Sequence, residues 1–154
     1  MKFKKSFRKF LLMLLVVLPL IIFFLTTELE TLDDTLNDLT YQKELLHLSS
    51  LSNQLNSTYW QNEATLFTLQ GYIRNDDLSQ GYYDDAATYE SNGIMFKDNA
   101  FFDINRAEDI TKIISDFNQS KSNYYFWSKA LILVQIISSI IYFSMYDKEP
   151  PQLS

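Results

Sequence analysis

Eighteen consecutive residues, Phe10 to Thr27, carry no charge, and this run limits what the chain can become more than any other feature. As a helix it extends about 27 Å, close to the roughly 30 Å hydrocarbon core of a bilayer. Lys2, Lys4, Lys5, Arg8 and Lys9 precede it with no acid among them, the flank expected on the cytoplasmic side of a span. A secretory signal peptide shares that basic start. It usually has an apolar run of only about 7–15 residues and a small-x-small cleavage site. Here the run is longer and leaves through Leu25, Thr26, Thr27 and Glu28 with no Ala, Gly or Ser nearby. The sequence therefore predicts an uncleaved signal-anchor, a first transmembrane helix over 10–27 behind a basic cytoplasmic N-terminus, 1–9. Pro19 removes a backbone donor from mid-span and crowds the Leu15 carbonyl, which predicts a fixed kink.

A second apolar run, Tyr124 to Met145, has 22 residues and one charge, Lys129. Nine Leu, Ile, Val or Phe side chains within Ala130–Met145 favour insertion by about 3–5 kcal/mol, partly offset by Gln135 and the serines. Lys129 lies near one end, where its stem can follow the helix while the ammonium reaches the headgroups. "YYFW" and "YFSMY" place amphipathic rings at both interfaces. The expectation is a second transmembrane helix over 124–145. Ser128, Gln135, Ser138, Ser139 and Tyr142 recur at spacings that put them on one face. Small polar side chains suit a helix–helix contact in the membrane better than lipid tails. The first span, or a partner subunit, is the expected neighbour.

Two spans return the tail, 146–154, to the cytoplasm and leave 28–123 outside. Residues 27–123 carry 17 acidic and 6 basic side chains, so this extracytoplasmic domain is acidic and repelled by anionic headgroups. Three glycines and three prolines in 154 residues argue for long regular elements. Leu29, Leu32, Leu36 and Leu39 alternate spacings of three and four, the seam of an amphipathic or coiled-coil helix. Tyr41, Leu45, Leu48 and Leu55 read as its continuation in shifted phase, followed by Trp60, Ala64 and Phe67. "SNQLNST" (52–58) is a weak point for a helix, and "RNDDLSQG" (74–81) is the clearest turn. A short helix around "YYDDAATYE", a break at "SNGIMFKDN" (91–99) and a last helix capped by Asp103 complete the expectation. The predicted fold is all-α: two transmembrane helices flanking a helical hairpin or, with a break near Ser57, a short four-helix bundle. Aromatic residues at its far end, Trp60, Phe67, Phe101 and Phe102 among them, suggest an exterior contact.

The chain contains no cysteine and one histidine, His47, which leaves no thiolate site and no Ser-His-Asp pattern. The pairs Asp76/Asp77 and Asp84/Asp85 lack the Gly and Glu that a calcium loop needs at its sixth and twelfth positions; a solvated acidic turn explains them. No Gly-rich phosphate loop or basic stripe points to nucleotide or nucleic acid. Sequons at Asn56 and Asn118 are glycan acceptors in a lineage that glycosylates there, or chance in an Asn- and Ser-rich stretch. The sequence thus predicts a multi-pass protein of the plasma membrane with both termini cytoplasmic. It is expected to need no cofactor and to perform no catalysis. Its expected role is a scaffold or accessory subunit that meets the lipid bilayer and another membrane protein, or self-associates, through its acidic helical domain. The competing expectation is an extracytoplasmic ligand-sensing module that signals through a partner.

Overall fold

The computed structural model describes residues 2–74 and 76–146, with side chains from Ser6 to Met145 except Asn75. Residues 147–154 of the tail expected over 146–154, and the side chains of Lys2, Lys4 and Lys5, lie outside the described residues. The protein is all-α and consists of two long helices: α1, Lys2–Arg74 (73 residues), and α2, Ser79–Tyr146 (68 residues). Each contains a stretch long and apolar enough to cross a membrane by length and composition.

α1 passes through Pro19 without ending, with the proline ring at an exposed position. Just beyond, the hydroxyls of Thr26, Thr27, Thr31 and Thr35 donate to carbonyls one turn back, at 2.8–3.0 Å. These β-branched residues so satisfy their own polar groups on the helix. Several expected interruptions are absent. α1 runs on through 52–58, and α2 absorbs the short helix at 82–90, the break at 91–99 and the start at Asp103. Asp103 caps nothing; mid-helix, its carboxylate accepts hydrogen bonds from Ser49 Oγ (2.7 Å) and Asn53 Nδ2 (3.1 Å). Local propensity was overridden because residues weak as helix formers are held by partners on the other helix.

The chain divides into two compact units, Met1–Leu36 with Ser115–Ser154, and Asn37–Ile114. In the first, Arg8 lies over the Tyr142 ring at 5.7 Å and Lys121 pairs with Asp33, so the segments of α1 and α2 run antiparallel. The seam of α1 comprises Leu11, Leu15, Leu18, Ile22, Leu25, Leu29, Leu32 and Leu36, all buried or half-buried. Their alternating spacing of four and three is the seam of a coiled coil. On α2 the matching series is Phe117, Lys121, Tyr124, Ser128, Leu131, Gln135, Ser138, Tyr142 and Met145. An all-Leu/Ile seam therefore meets a mixed polar one.

In the second unit the covered series is Leu39, Lys43, Leu46, Ser50, Asn53, Ser57, Trp60, Ala64, Phe67 and Gly71 on α1. On α2 it is Tyr82, Ala86, Tyr89, Gly93, Phe96, Ala100, Asp103, Ala107, Ile110 and Ile114. From Ser50 to Gly71 on α1 and from Ala86 to Ala107 on α2, every seventh residue is small. Ser57 Oγ donates to the Gly93 carbonyl at 2.7 Å; seven-residue steps from that pair set Ser50 opposite Ala100 and Ala64 opposite Ala86. Small against small lets the backbones approach. A Cβ at Gly93 would sit 3.1 Å from Gln61 Cγ and 3.4 Å from the Ser57 carbonyl, and one at Gly71 would sit 3.2 Å from the Tyr83 ring. Alternate layers hold aromatic side chains: Trp60 stacks on Tyr89 (5.3 Å), and Phe67 meets Tyr89 edge-on (4.9 Å) and Tyr82 (6.0 Å).

This core is thin. Among the described residues no large side chain is fully enclosed, and the buried apolar set is Leu11, Leu18, Leu29, Leu36, Ala86, Ala100 and Ala107. Two helices bury one stripe each and leave the rest of their apolar surface outward.

Candidate functional site

The second unit carries a further apolar stripe on the back of α1. With Lys43, Ser50 and Ser57 as heptad position a and Leu46, Asn53 and Trp60 as d, the seam toward α2 is accounted for. Tyr41, Leu45, Leu48, Leu55, Tyr59, Leu66, Leu69 and Ile73 then fall on positions c and f, all exposed, with Leu55 at 73% and Ile73 at 80%. Ser52 and Asn62 fill the two remaining places. Positions c and f lie on the side of a helix opposite a and d, so α1 has two seams, back to back. Asp34 and Asp38 occupy the next two places in the series toward the N-terminus and end the apolar run there.

The outer face of α2 differs. Its c and f positions include Asp84, Thr88, Ser91, Asp98, Asn105, Asp109 and Lys112, interrupted by Met95 and Phe102. Over residues 45–73 Glu63 is the one formal charge, whereas residues 76–109 carry nine acids against Lys97 and Arg106. The unit is thus apolar on one flank and acidic on the other.

The site residues expected from sequence are distributed as follows. Trp60 and Phe67 belong to the seam between α1 and α2 and are half-buried there. Phe101 and Phe102 are exposed on α2, with Arg106 over the Phe102 ring at 5.7 Å. Ser128 and Ser138 are buried, and Gln135 and Tyr142 half-buried, all four on the α2 seam. Ser139 sits beside that seam, its hydroxyl donating to the Gln135 carbonyl of its own helix at 2.8 Å. Asn56 and Asn118 are exposed. The stripe on the back of α1 was missed as a unit. Its first members were read as a phase shift of the seam; counting threes and fours onward from Leu55 through Tyr59, Leu66, Leu69 and Ile73 reveals two concurrent series.

The end of the second unit is pinned by charge. Arg74 Nε pairs with Asp76 Oδ2 at 3.1 Å, and its guanidinium donates to Tyr82 Oη at 2.9 Å. The bond to Asp76, then that to Tyr82, hold the Arg74 guanidinium above its ordinary value, and its charge complements the C-terminal end of the helix dipole. Asp76 Oδ1 accepts from Leu78 N–H (3.1 Å) and its carbonyl from Ser79 N–H (2.9 Å), closing the turn with an Asx motif. In the first unit the ion pair with Asp33, outweighing partial burial, raises the Lys121 ammonium above the usual lysine value. Among the described residues no three His, Cys, Asp or Glu side chains converge as a metal site would require. No family model, characterised protein or solved structure matches the chain.

Proposed function

We propose that the chain is a two-span membrane protein whose acidic helical domain, 28–123, stands outside the cytoplasm as a helical hairpin. It serves there as a scaffold or accessory subunit through protein–protein contact. The observation that carries this reading is the outward placement of apolar side chains at both levels. In the stretches apolar enough to cross a membrane, Phe10, Met13, Val16, Leu20, Phe23, Ile136, Ile140 and Phe143 are exposed. A core helix of a soluble domain would bury such residues; lipid would cover them. Beyond the spans, the stripe on the back of α1 is apolar surface that lipid does not reach, and protein is its natural cover. The unbroken α1 at Ser57 favours a hairpin over a four-helix bundle, and the basic flank at 1–9 sets the N-terminus inside.

The absence of native cysteine makes the test clean. Single variants Ser6→Cys, Ser79→Cys and Ser154→Cys are exposed in intact cells to a membrane-impermeant thiol reagent. Labelling of Ser79→Cys alone is the expected result. Labelling of Ser154→Cys overturns the two-span topology, and release of the protein by alkaline carbonate overturns membrane integration altogether.

A further inference from the structure

We infer that the back of α1 in the second unit is a docking face for a second copy of this chain, laid parallel and in register. The parallel orientation rests on the two-span reading, because spans held in one bilayer point the α1 helices of both copies the same way. The face itself does not depend on that reading.

Three observations select a second copy as the occupant. The first is charge. The chain carries a net −6, so two copies repel across most of their surface, and the acids of α2 oppose contact there. Residues 45–73 hold a single formal charge, Glu63. In a parallel pair the seam formed by c and f is flanked by b and g, and Glu63 at g faces Thr58 at b of the other copy. No like-charged pair arises along the contact.

The second is periodicity. The stripe keeps the three–four spacing from Tyr41 to Ile73, the spacing a helix needs to lie against another helix of the same repeat. In register, Leu48, Leu55 and Leu69 each meet their counterparts, and the polar members Ser52 and Asn62 meet theirs. Asn against Asn in an otherwise apolar seam satisfies both amides and penalises a slipped alignment, where Asn62 would face leucine.

The third is area. Eight large side chains at about half to four-fifths exposure offer on the order of 800 Å² per copy, the half-share of a standard interface. The core of one copy is thin, as its buried apolar set is small, so this contact supplies a second layer. Asp38, the next position in the series, would face its counterpart and end the contact at Tyr41.

The test uses the full-length protein in native membranes. Leu48→Cys, Leu55→Cys and Leu69→Cys, with Asp98→Cys on the outer face of α2 as control, are oxidised without added linker. Disulfide-linked dimers at all three stripe positions, at least tenfold above the control, are expected. Leu48→Glu and Leu66→Glu together should abolish a glutaraldehyde-captured dimer. Helix content should be unchanged, because both residues are already exposed. Crosslinking at Leu48→Cys no greater than at Asp98→Cys overturns the proposal, as does a crosslinked product whose mass is not twice that of the chain. Efficient linkage of coexpressed Leu45→Cys and Leu69→Cys chains, without homotypic linkage, shows an antiparallel pair and also overturns it. Loss of membrane integration with homotypic linkage intact would defeat the proposed function and leave this contact standing; integration without linkage does the reverse.

Discussion

The Ser57 hydroxyl donates to the Gly93 carbonyl at 2.7 Å, across the seam between α1 and α2 in the second unit. A hydrogen bond from a side chain to the backbone of a neighbouring helix is easier where the neighbour presents no side chain of its own at that point. Gly93 meets this condition at the cost of helix propensity. Gly93→Leu should destabilise the protein by about 1–3 kcal/mol through overpacking. Gly93→Ala should stay within about 1 kcal/mol of the parent, since a propensity gain offsets the shift required of the flexible Gln61 side chain. Thermal unfolding in detergent, followed by circular dichroism, measures both. Equal effects of Ala and Leu would show that the approach is not close.

Asp103 occupies a seam position and is held by Ser49 and Asn53. Asp103→Leu alone leaves the half-buried Asn53 amide without its acceptor and should cost about 1 kcal/mol. Asn53→Leu with Asp103→Leu removes both polar partners and brings apolar side chains into one layer. The double variant should be more stable than the parent by about 1–3 kcal/mol. Denaturant melts of the four proteins of the cycle decide it; additive losses in the double variant would refute the coupling.

How much of this was legible in the sequence depends on which residues wrote it. The leucine series Leu29, Leu32, Leu36 and Leu39 announced a seam because one residue type repeats at one spacing. Beyond Leu46 the seam is written in Ser50, Asn53, Ser57 and Gly71, residues that signal turns when read locally, while the leucines move to the opposite face. A reader who follows hydrophobicity is led onto the outer stripe and finds a phase shift where the helix has none. Ser57 and Gly93, the strongest markers of a break in isolation, are partners in a close contact 36 residues apart. That pairing lies in the register between helices, which no single window contains. Asp103 misled for the same reason: a carboxylate that resembles a cap is bonded to another helix.

Phe67 touches both Tyr89 and Tyr82 and so links two aromatic layers. Phe67→Leu keeps most of the volume and should cost about 1–1.5 kcal/mol. Phe67→Ala opens a void in a half-buried layer and should cost about 2–3 kcal/mol. The Trp60 ring, stacked on Tyr89, reports on the site. A near-ultraviolet dichroism signal unchanged in Phe67→Ala would argue against a connected aromatic array.

Lys121 and Asp33 give a pH signature to the first unit. The ammonium is held above the ordinary lysine value by Asp33. The pair's stabilisation is therefore complete below the unfolded lysine value, about 10.4, and is lost as pH rises through the higher folded value. The difference in stability between the parent and Lys121→Gln should be constant from neutral pH to about 10 and shrink above it. Unfolding of both proteins across that range is the measurement. A gap that does not shrink above about pH 10 would contradict the assignment.

Arg8 lies over Tyr142, and one seven-residue step along the antiparallel seam of the first unit sets Leu15 opposite Gln135. Leu15 is the residue whose carbonyl Pro19 leaves without an intrahelical donor, because proline at the position four residues on has no N–H. Gln135 is the one amide side chain on the facing seam and is half-buried there. We expect the Gln135 amide, which makes no hydrogen bond to Leu15 in this structure, to turn toward the orphaned acceptor once lipid surrounds the pair. Gln135→Leu should weaken the pairing of the two apolar stretches in the parent and have little effect in Pro19→Leu, where the Leu15 carbonyl regains its helical partner. Interhelical hydrogen bonds in lipid average about 0.6 kcal/mol and reach about 1.7 kcal/mol, so a coupling of that size should emerge from a double-mutant cycle. Disulfide trapping between engineered cysteines at Leu11 and Ser138, two seam positions of this unit, would follow the pairing in bicelles. Additive effects of the two substitutions would separate Gln135 from Pro19 and leave the glutamine to some other neighbour.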